Sequence, residues 1–203
     1  MKSARNAAST AALVLFLFQL VFADSPPDLY PKESEEYEVQ NNKIYFRKGN
    51  EGLILEQATE EAISKYYSDR GANIGNPFLS LKEISKDHTI FLLTLINRGR
   101  SSVTFTPRYV TLQIKHDNFY PMDFAILLEA LEGLDRTKAS ILQKSIFHSS
   151  EALHPNEVIT KFLVFPSLPK KFDELMLEFD YLFFGDREIR ARFYFLRKKP
   201  VQN

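Results

Sequence analysis

Acidic side chains recur in one short segment near the C-terminal end of the chain. Glu174, Glu178 and Asp180, with Asp173 just ahead of them, interleave with Leu175, Leu177, Phe179 and Tyr181. In an extended strand this alternation sends the acids to one face and the apolar residues to the other. Glu178 and Asp180 then stand about 7 Å apart, inside the range over which a carboxylate pair hydrolyses a glycosidic bond. The next alternating segment, Ile189, Ala191, Phe193 and Phe195, carries Arg190 and Arg192 at its outward positions. Arginines opposite acids on neighbouring strands pair with them, and that pairing explains both rows without a substrate. The residues therefore predict an ion-paired surface of Glu178, Asp180, Arg190 and Arg192 that could serve binding, with no catalytic residue. The alternative is a glycan- or peptidoglycan-directed hydrolase built on the same two acids.

Other chemistry has less to work with. The four histidines, His88, His116, His148 and His154, fall at predicted strand ends or turns, and none has a partner at a metal-ligand spacing. No metal and no cofactor are expected. The chain contains no cysteine, which removes disulfides, thiolate metal sites, a Cys nucleophile and a lipidated Cys after an export signal. There is no Gly-x-Ser-x-Gly turn, no phosphate loop and no His-Glu-x-x-His helix. Gly71-Ala72-Asn73-Ile74-Gly75 has two glycines but no strand before it and no helix opening after it. From Arg187 to Lys199 six basic residues face one acid, Glu188, with Tyr194 among them. That is the composition of an exposed strand edge and tail kept from pairing with other chains.

The elements that must hold these residues are mostly strands. Tyr37 and Val39, then Ile44 to Phe46, then Leu53 to Leu55 are three short strand candidates parted by turns at Asn41-Asn42 and Gly49-Asn50. A helix is predicted from about Glu60 to Arg70: Glu60 and Glu61 complement its dipole, Ala62, Ile63, Tyr66 and Tyr67 share a face, and Gly71 stops it. A turn at Gly75-Asn76-Pro77 follows. Thr89 to Ile96 is apolar at both parities, as in a strand covered on both faces. Val103 and Phe105, and then Val110, Leu112 and Ile114, alternate with polar residues. Ala125 to Leu131, between Asp123 and Gly133, reads as a short helix, and Lys138 to Phe147 as a second helix or a strand. Val158 to Phe165 precedes the two alternating strands, which a Gly185-Asp186 turn joins. Leu112, Leu163, Leu177, Phe179, Phe193 and Phe195 should share one core. Short strands without βαβ alternation predict a mainly β, antiparallel sandwich with one or two short helices in crossover connections. A protease inhibitor presenting the 116–124 or 148–157 turns is a third possibility.

Three pieces in order resemble the immunoglobulin-like (Ig-like) pattern of exported bacterial proteins of the telokin-like sort. They are Phe91-Leu92-Leu93-Thr94-Leu95-Ile96-Asn97, the pair Val103-Thr104-Phe105 and Val110-Thr111-Leu112, and His154-Pro155-Asn156-Glu157 leading into Lys161-Phe162-Leu163-Val164-Phe165-Pro166. The resemblance spans roughly residues 88 to 197 and implies an Ig-like sandwich with an adhesive, scaffolding or accessory role. The Cys pair and core Trp of antibody-type domains are missing, so it carries over no functional residue.

The N-terminus sets the compartment. Lys2 and Arg5 precede an apolar run from Leu13 to Phe22, broken only by Gln19, and Val21-Phe22-Ala23 precedes Asp24, Ser25, Pro26 and Pro27. This is the layout of an export signal, residues 1–23, cut after Ala23. The ten-residue run is too short for the roughly 20 residues a membrane span needs, so no span is expected after cleavage. Export removes two of 26 basic residues and none of 26 acidic ones, leaving a net charge of −2. Nucleic acid is not expected as a partner on that balance. Residues 24–36 read as a Pro-rich leader and 37–203 as a single domain. Export without disulfides places it in a bacterial envelope, secreted or periplasmic, where an envelope protein or a glycan is the expected partner.

Overall fold

A computed structural model describes residues 28–72, 78, 88–130 and 136–197. The strands form two antiparallel sheets. One has five strands: β2 (Glu38–Gln40), β3 (Lys43–Lys48), β4 (Glu51–Gln57), β5 (His88–Asn97) and β10 (Val158–Ser167), in the order β10-β5-β4-β3-β2. The other has seven: β1 (Leu29–Pro31), β6 (Val103–Phe105), β7 (Val110–Ile114), β8 (Asp117–Phe119), β9 (Glu151–Leu153), β11 (Glu174–Phe184) and β12 (Arg187–Arg197). Here β12 lies between β1 and β11, while β6 and β7 pair with successive lengths of β11 and carry β9 and β8 outside them. The chain is mainly β, as expected.

The inner faces of the two sheets share one core. Phe46, Leu53, Leu55, Phe91, Leu93, Leu95 and Phe165 from the first sheet meet Val110 and Phe184 from the second. All six residues expected in the core, Leu112, Leu163, Leu177, Phe179, Phe193 and Phe195, belong to it and are at most 0% exposed. Rings meet edge-on across the gap and along the sheet, Phe193 lying 5.6 Å from Phe46 of the opposite sheet and 5.4 Å from Phe179 of its own between centroids.

A second core explains why β5 and β10 are apolar at both parities. Ile90, Phe162 and Val164 point away from the shared core into a cluster with Ile63, Tyr66 and Tyr67 of α1 (Glu60–Ser68), Phe124 and Leu127 of α2 (Phe124–Ala130), and Leu142 of α3 (Arg136–Ser145). Helices thus cover the outer face of the five-stranded sheet at its β5 and β10 side. Thr59 caps α1 by accepting from the Ala62 N–H at 3.2 Å. Tyr67 donates to Ser145 Oγ at 2.6 Å, because Ser145 uses its own proton on the Leu142 carbonyl at 2.8 Å. The segment left open between helix and strand, Lys138 to Phe147, is helical up to Ser145 and then forms a parallel bridge from Ile146 to Phe162.

Three strands lie where none was expected. Leu29, in the stretch read as leader, is 1% exposed and anchors β1 against the end of β12. Tyr37 locks that junction: its hydroxyl donates to the Lys32 carbonyl at 2.9 Å and accepts from the Tyr194 N–H at 3.1 Å. The expected long turns at 116–124 and 148–157 contain β8 and β9, each three residues long and fastened to β7 and β6. The export signal, residues up to Pro27, the Gly75-Asn76-Pro77 turn, the Gly133 stop and the basic tail beyond Arg197 lie outside the described residues. No helix among the described residues is long and apolar enough to cross a membrane.

Candidate functional site

The outer face of the seven-stranded sheet, which no helix among the described residues covers, carries the residues singled out from the sequence. Gly185, at φ 63, and Asp186 turn β11 into β12. That turn and a one-residue slip of register between Phe179 and Leu182 together set Glu178 opposite Arg192, with Arg190 beside Asp180. Arg192 Nε donates to Glu178 Oε1 at 2.7 Å, Arg190 Nε lies 3.7 Å from the same oxygen, and Arg190 also donates to Asp180 Oδ1. The two acids are half-buried between exposed arginines, with side-chain exposures of 17% and 25% against 47% and 61%. The carboxylate of Glu178 raises the pKa of the Arg192 guanidinium, first through their hydrogen bond and then through charge.

Toward the β1 end the same face continues through Met176, Gln113 and Tyr194, which lie across neighbouring strands. They line a groove of about 380 Å³ together with Lys115, Phe172 and Glu174. Lys32 bonds Glu174 at 2.7 Å and stands 5.8 Å from the centre of the Tyr194 ring. Tyr30 and Leu196 face each other across β1 and β12 at the rim, and both are among the exposed large apolar residues.

At the other end the structure corrects the sequence reading. Tyr181 was expected on the inward face, yet it is 47% exposed. The register with β12 slips between Phe179 and Leu182: three steps along β11 answer two along β12, from Ala191 to Ile189. This is a β-bulge, and the extra residue takes Tyr181 out of the core. Inward parity then passes from the odd residues to Leu182 and Phe184, both buried. The apolar Leu182 and Phe184 at even positions were the signal of that slip in the sequence. Tyr181 is held at φ 52, a left-handed backbone that a bulky residue rarely adopts and that costs on the order of 1–3 kcal/mol. Its ring packs on Tyr109, 4.8 Å away, and Arg108 lies over the Tyr109 ring at 4.7 Å while donating to its hydroxyl at 2.8 Å.

The other candidates do not converge. His116, His148 and His154 are exposed and His88 is half-buried, on separate parts of the fold. Among the described residues no group of three His, Cys, Asp or Glu side chains could hold a metal ion. The basic stretch is engaged by its own protein. Arg187 lies 3.7 Å from Glu51, and Arg197 donates to the Lys170 carbonyl and lies over the Phe172 ring. Its reading as a strand edge holds for most of β12, since β1 covers only the Phe195 to Arg197 end.

No family model matches the chain, and no curated protein matches it. The crystal structure of the YjhA protein from Bacillus subtilis superposes on 73% of this chain and 93% of that one, with a TM-score of 0.40 and 14% identity, a likeness too slight to carry an argument.

Proposed function

We propose that this chain is a non-catalytic binding or accessory module of a bacterial cell envelope, exported and then secreted or periplasmic, that acts through the open face of its seven-stranded sheet. The observation that carries this reading is the fate of the two acids. Glu178 sits between Arg192 and Arg190, and Asp180 is held by Arg190. Both carboxylates are engaged by guanidinium groups of the neighbouring strand, the arrangement of a cross-strand ion-paired surface that needs no substrate to explain it. The acids are therefore structural members of a surface rather than a hydrolytic pair. Two antiparallel sheets around one core support the sandwich, and the finer assignment to an Ig-like module belongs to the same proposal. The pairwise neutral face supports an envelope protein or glycan, and not nucleic acid, as partner.

The test is a screen of the wild type against glycan and peptidoglycan fragments, repeated with Glu178→Gln and Asp180→Asn. The module reading expects no turnover by any of the three proteins and a stability change of about 0–1 kcal/mol in the variants, the range for exposed pairs. Turnover by the wild type that vanishes in both variants makes the protein a hydrolase and ends the proposal.

A further inference from the structure

We infer that the open face of the seven-stranded sheet binds a neutral, linear oligosaccharide laid along β11 from the Tyr109–Tyr181 pair to Tyr194. The inference rests on the binding-module reading above and names its ligand class.

Three observations lead there. The first is the placement of aromatic rings. Tyr181 occupies a left-handed position that glycine would take without strain, and it holds a ring at the surface, 47% exposed, instead of burying it. Tyr109 supports that ring from the side and is itself held by Arg108. Tyr194 forms the wall of the groove at the far end of the same face. The face of an aromatic ring is the negative part of its quadrupole. The C–H groups on one side of a pyranose ring are its natural complement. From Met176, opposite Tyr194, to Tyr181 is five residues of strand, or about 16 Å. A short oligosaccharide of a few rings covers that distance.

The second observation is what lies between the platforms. Arg192 with Glu178 and Arg190 with Asp180 neutralise one another in pairs, and just past Tyr194 Lys32 does the same with Glu174. A charged ligand would have to compete with these partners. A sugar hydroxyl does not: it donates to a carboxylate lone pair and accepts from a guanidinium N–H while the ion pair stays closed. Gln113 adds an amide with both functions inside the groove. The third observation is shape. A protein partner draws most of its binding energy from anchors sunk in desolvated pockets. The middle rows of this face present ion pairs, whereas the rings stand at its two ends.

The experiment measures binding of cello-, xylo-, manno- and chito-oligosaccharides by calorimetry, with oligogalacturonate as the charged comparison. Saturation-transfer NMR then locates the contact on the sugar. At least one neutral series should bind, more tightly as its length grows to span both platforms, with little effect of salt. Tyr181→Ala and Tyr194→Ala should each weaken it about tenfold, the loss of one stacking contact. Tyr109→Ala should do the same through the supporting ring, in a residue whose backbone is unstrained. Saturation should reach sugar C–H protons in the wild type and fall in these variants. The inference is overturned if no neutral series binds, if oligogalacturonate binds best and loses affinity with salt, or if the tyrosine variants keep wild-type affinity. The two readings fail separately. Shortening of a bound neutral oligosaccharide, lost in Glu178→Gln, keeps the sugar site and ends the non-catalytic reading. Absence of sugar binding, with a purified envelope protein bound through Arg190 and Arg192, ends the sugar site and keeps the module.

Discussion

Truncating Phe193 to Ala tests the parity on which the whole face depends. The side chain is 0% exposed and lies between the sheets, in contact with three rings. Tyr37 stands 5.3 Å away, Phe46 5.6 Å and Phe179 5.4 Å between centroids. Removing a buried Phe ring costs about 3–5 kcal/mol. Each lost ring contact is worth about 0.5–1.5 kcal/mol beyond buried area, which places this site in the upper half of that range. The hole cannot close unless two sheets shift together, which points the same way. A loss of about 4 kcal/mol corresponds to a fall of about 8–16 °C in Tm for a domain of this size. The neighbouring Tyr194 points outward, and Tyr194→Ala should cost only about 0–1 kcal/mol. Both variants keep the Tyr194 N–H bond to Tyr37, so the contrast isolates the side chains. The chain has no Trp, and urea unfolding is best followed by circular dichroism. Equal losses at the two positions, or a larger loss at Tyr194, would refute the parity of β12 and with it the outward face.

Further outcomes follow from single sites. Tyr181→Gly should be more stable than Tyr181→Ala by about 1–2 kcal/mol, since only glycine adopts φ 52 without a Cβ penalty; equal stabilities measured in urea would refute the strain. Burial pushes the phenols of Tyr37, Tyr66 and Tyr67 above their ordinary 10.0. The folded state holds these protons more tightly, so this stability is complete below pH 10 and is lost as pH rises through the raised values. Stability measured by denaturation across alkaline pH should fall less steeply in Tyr67→Phe than in the wild type, and parallel curves would contradict the assignment. Protein exported by a bacterial host should begin at Asp24 by intact mass, and a mass retaining Met1 would contradict the export signal.

Much of the fold was legible because its causes are local. Alternation in Val110 to Ile114 and in Leu175 to Phe179 needs only the two-residue period of a strand, and all these apolar residues lie in the shared core. The Asn41-Asn42 and Gly185-Asp186 turns announce themselves because left-handed backbone selects those residue types. The acidic and basic rows were legible for the same reason, but their pairing was not: the turn alone would set Glu178 against Phe193, and the slip between Phe179 and Leu182 brings it opposite Arg192.

What stayed hidden depends on contacts distant in sequence. β1, β8 and β9 are three residues each, too short to show a period, and exist because a neighbouring strand supplies their hydrogen bonds. The exposure of Tyr181 follows from a slip of β11 against β12, since a strand's own alternation continues inward until its partner imposes the extra residue. The segment Lys138 to Phe147 became a helix only as far as Ser145, where Leu142 joins the apolar cluster on the back of β10, and Ile146 then bridges to Phe162. By itself the sequence determined the periods, the turns, the apolar and charged rows and the expectation of export, all set by covalent geometry and near neighbours. Only the tertiary structure decided that, among the described residues, helices cover one sheet's outer face and not the other's, where acids are locked to arginines and tyrosines turned outward, because burial and register are settled by partners that the chain meets only when it folds.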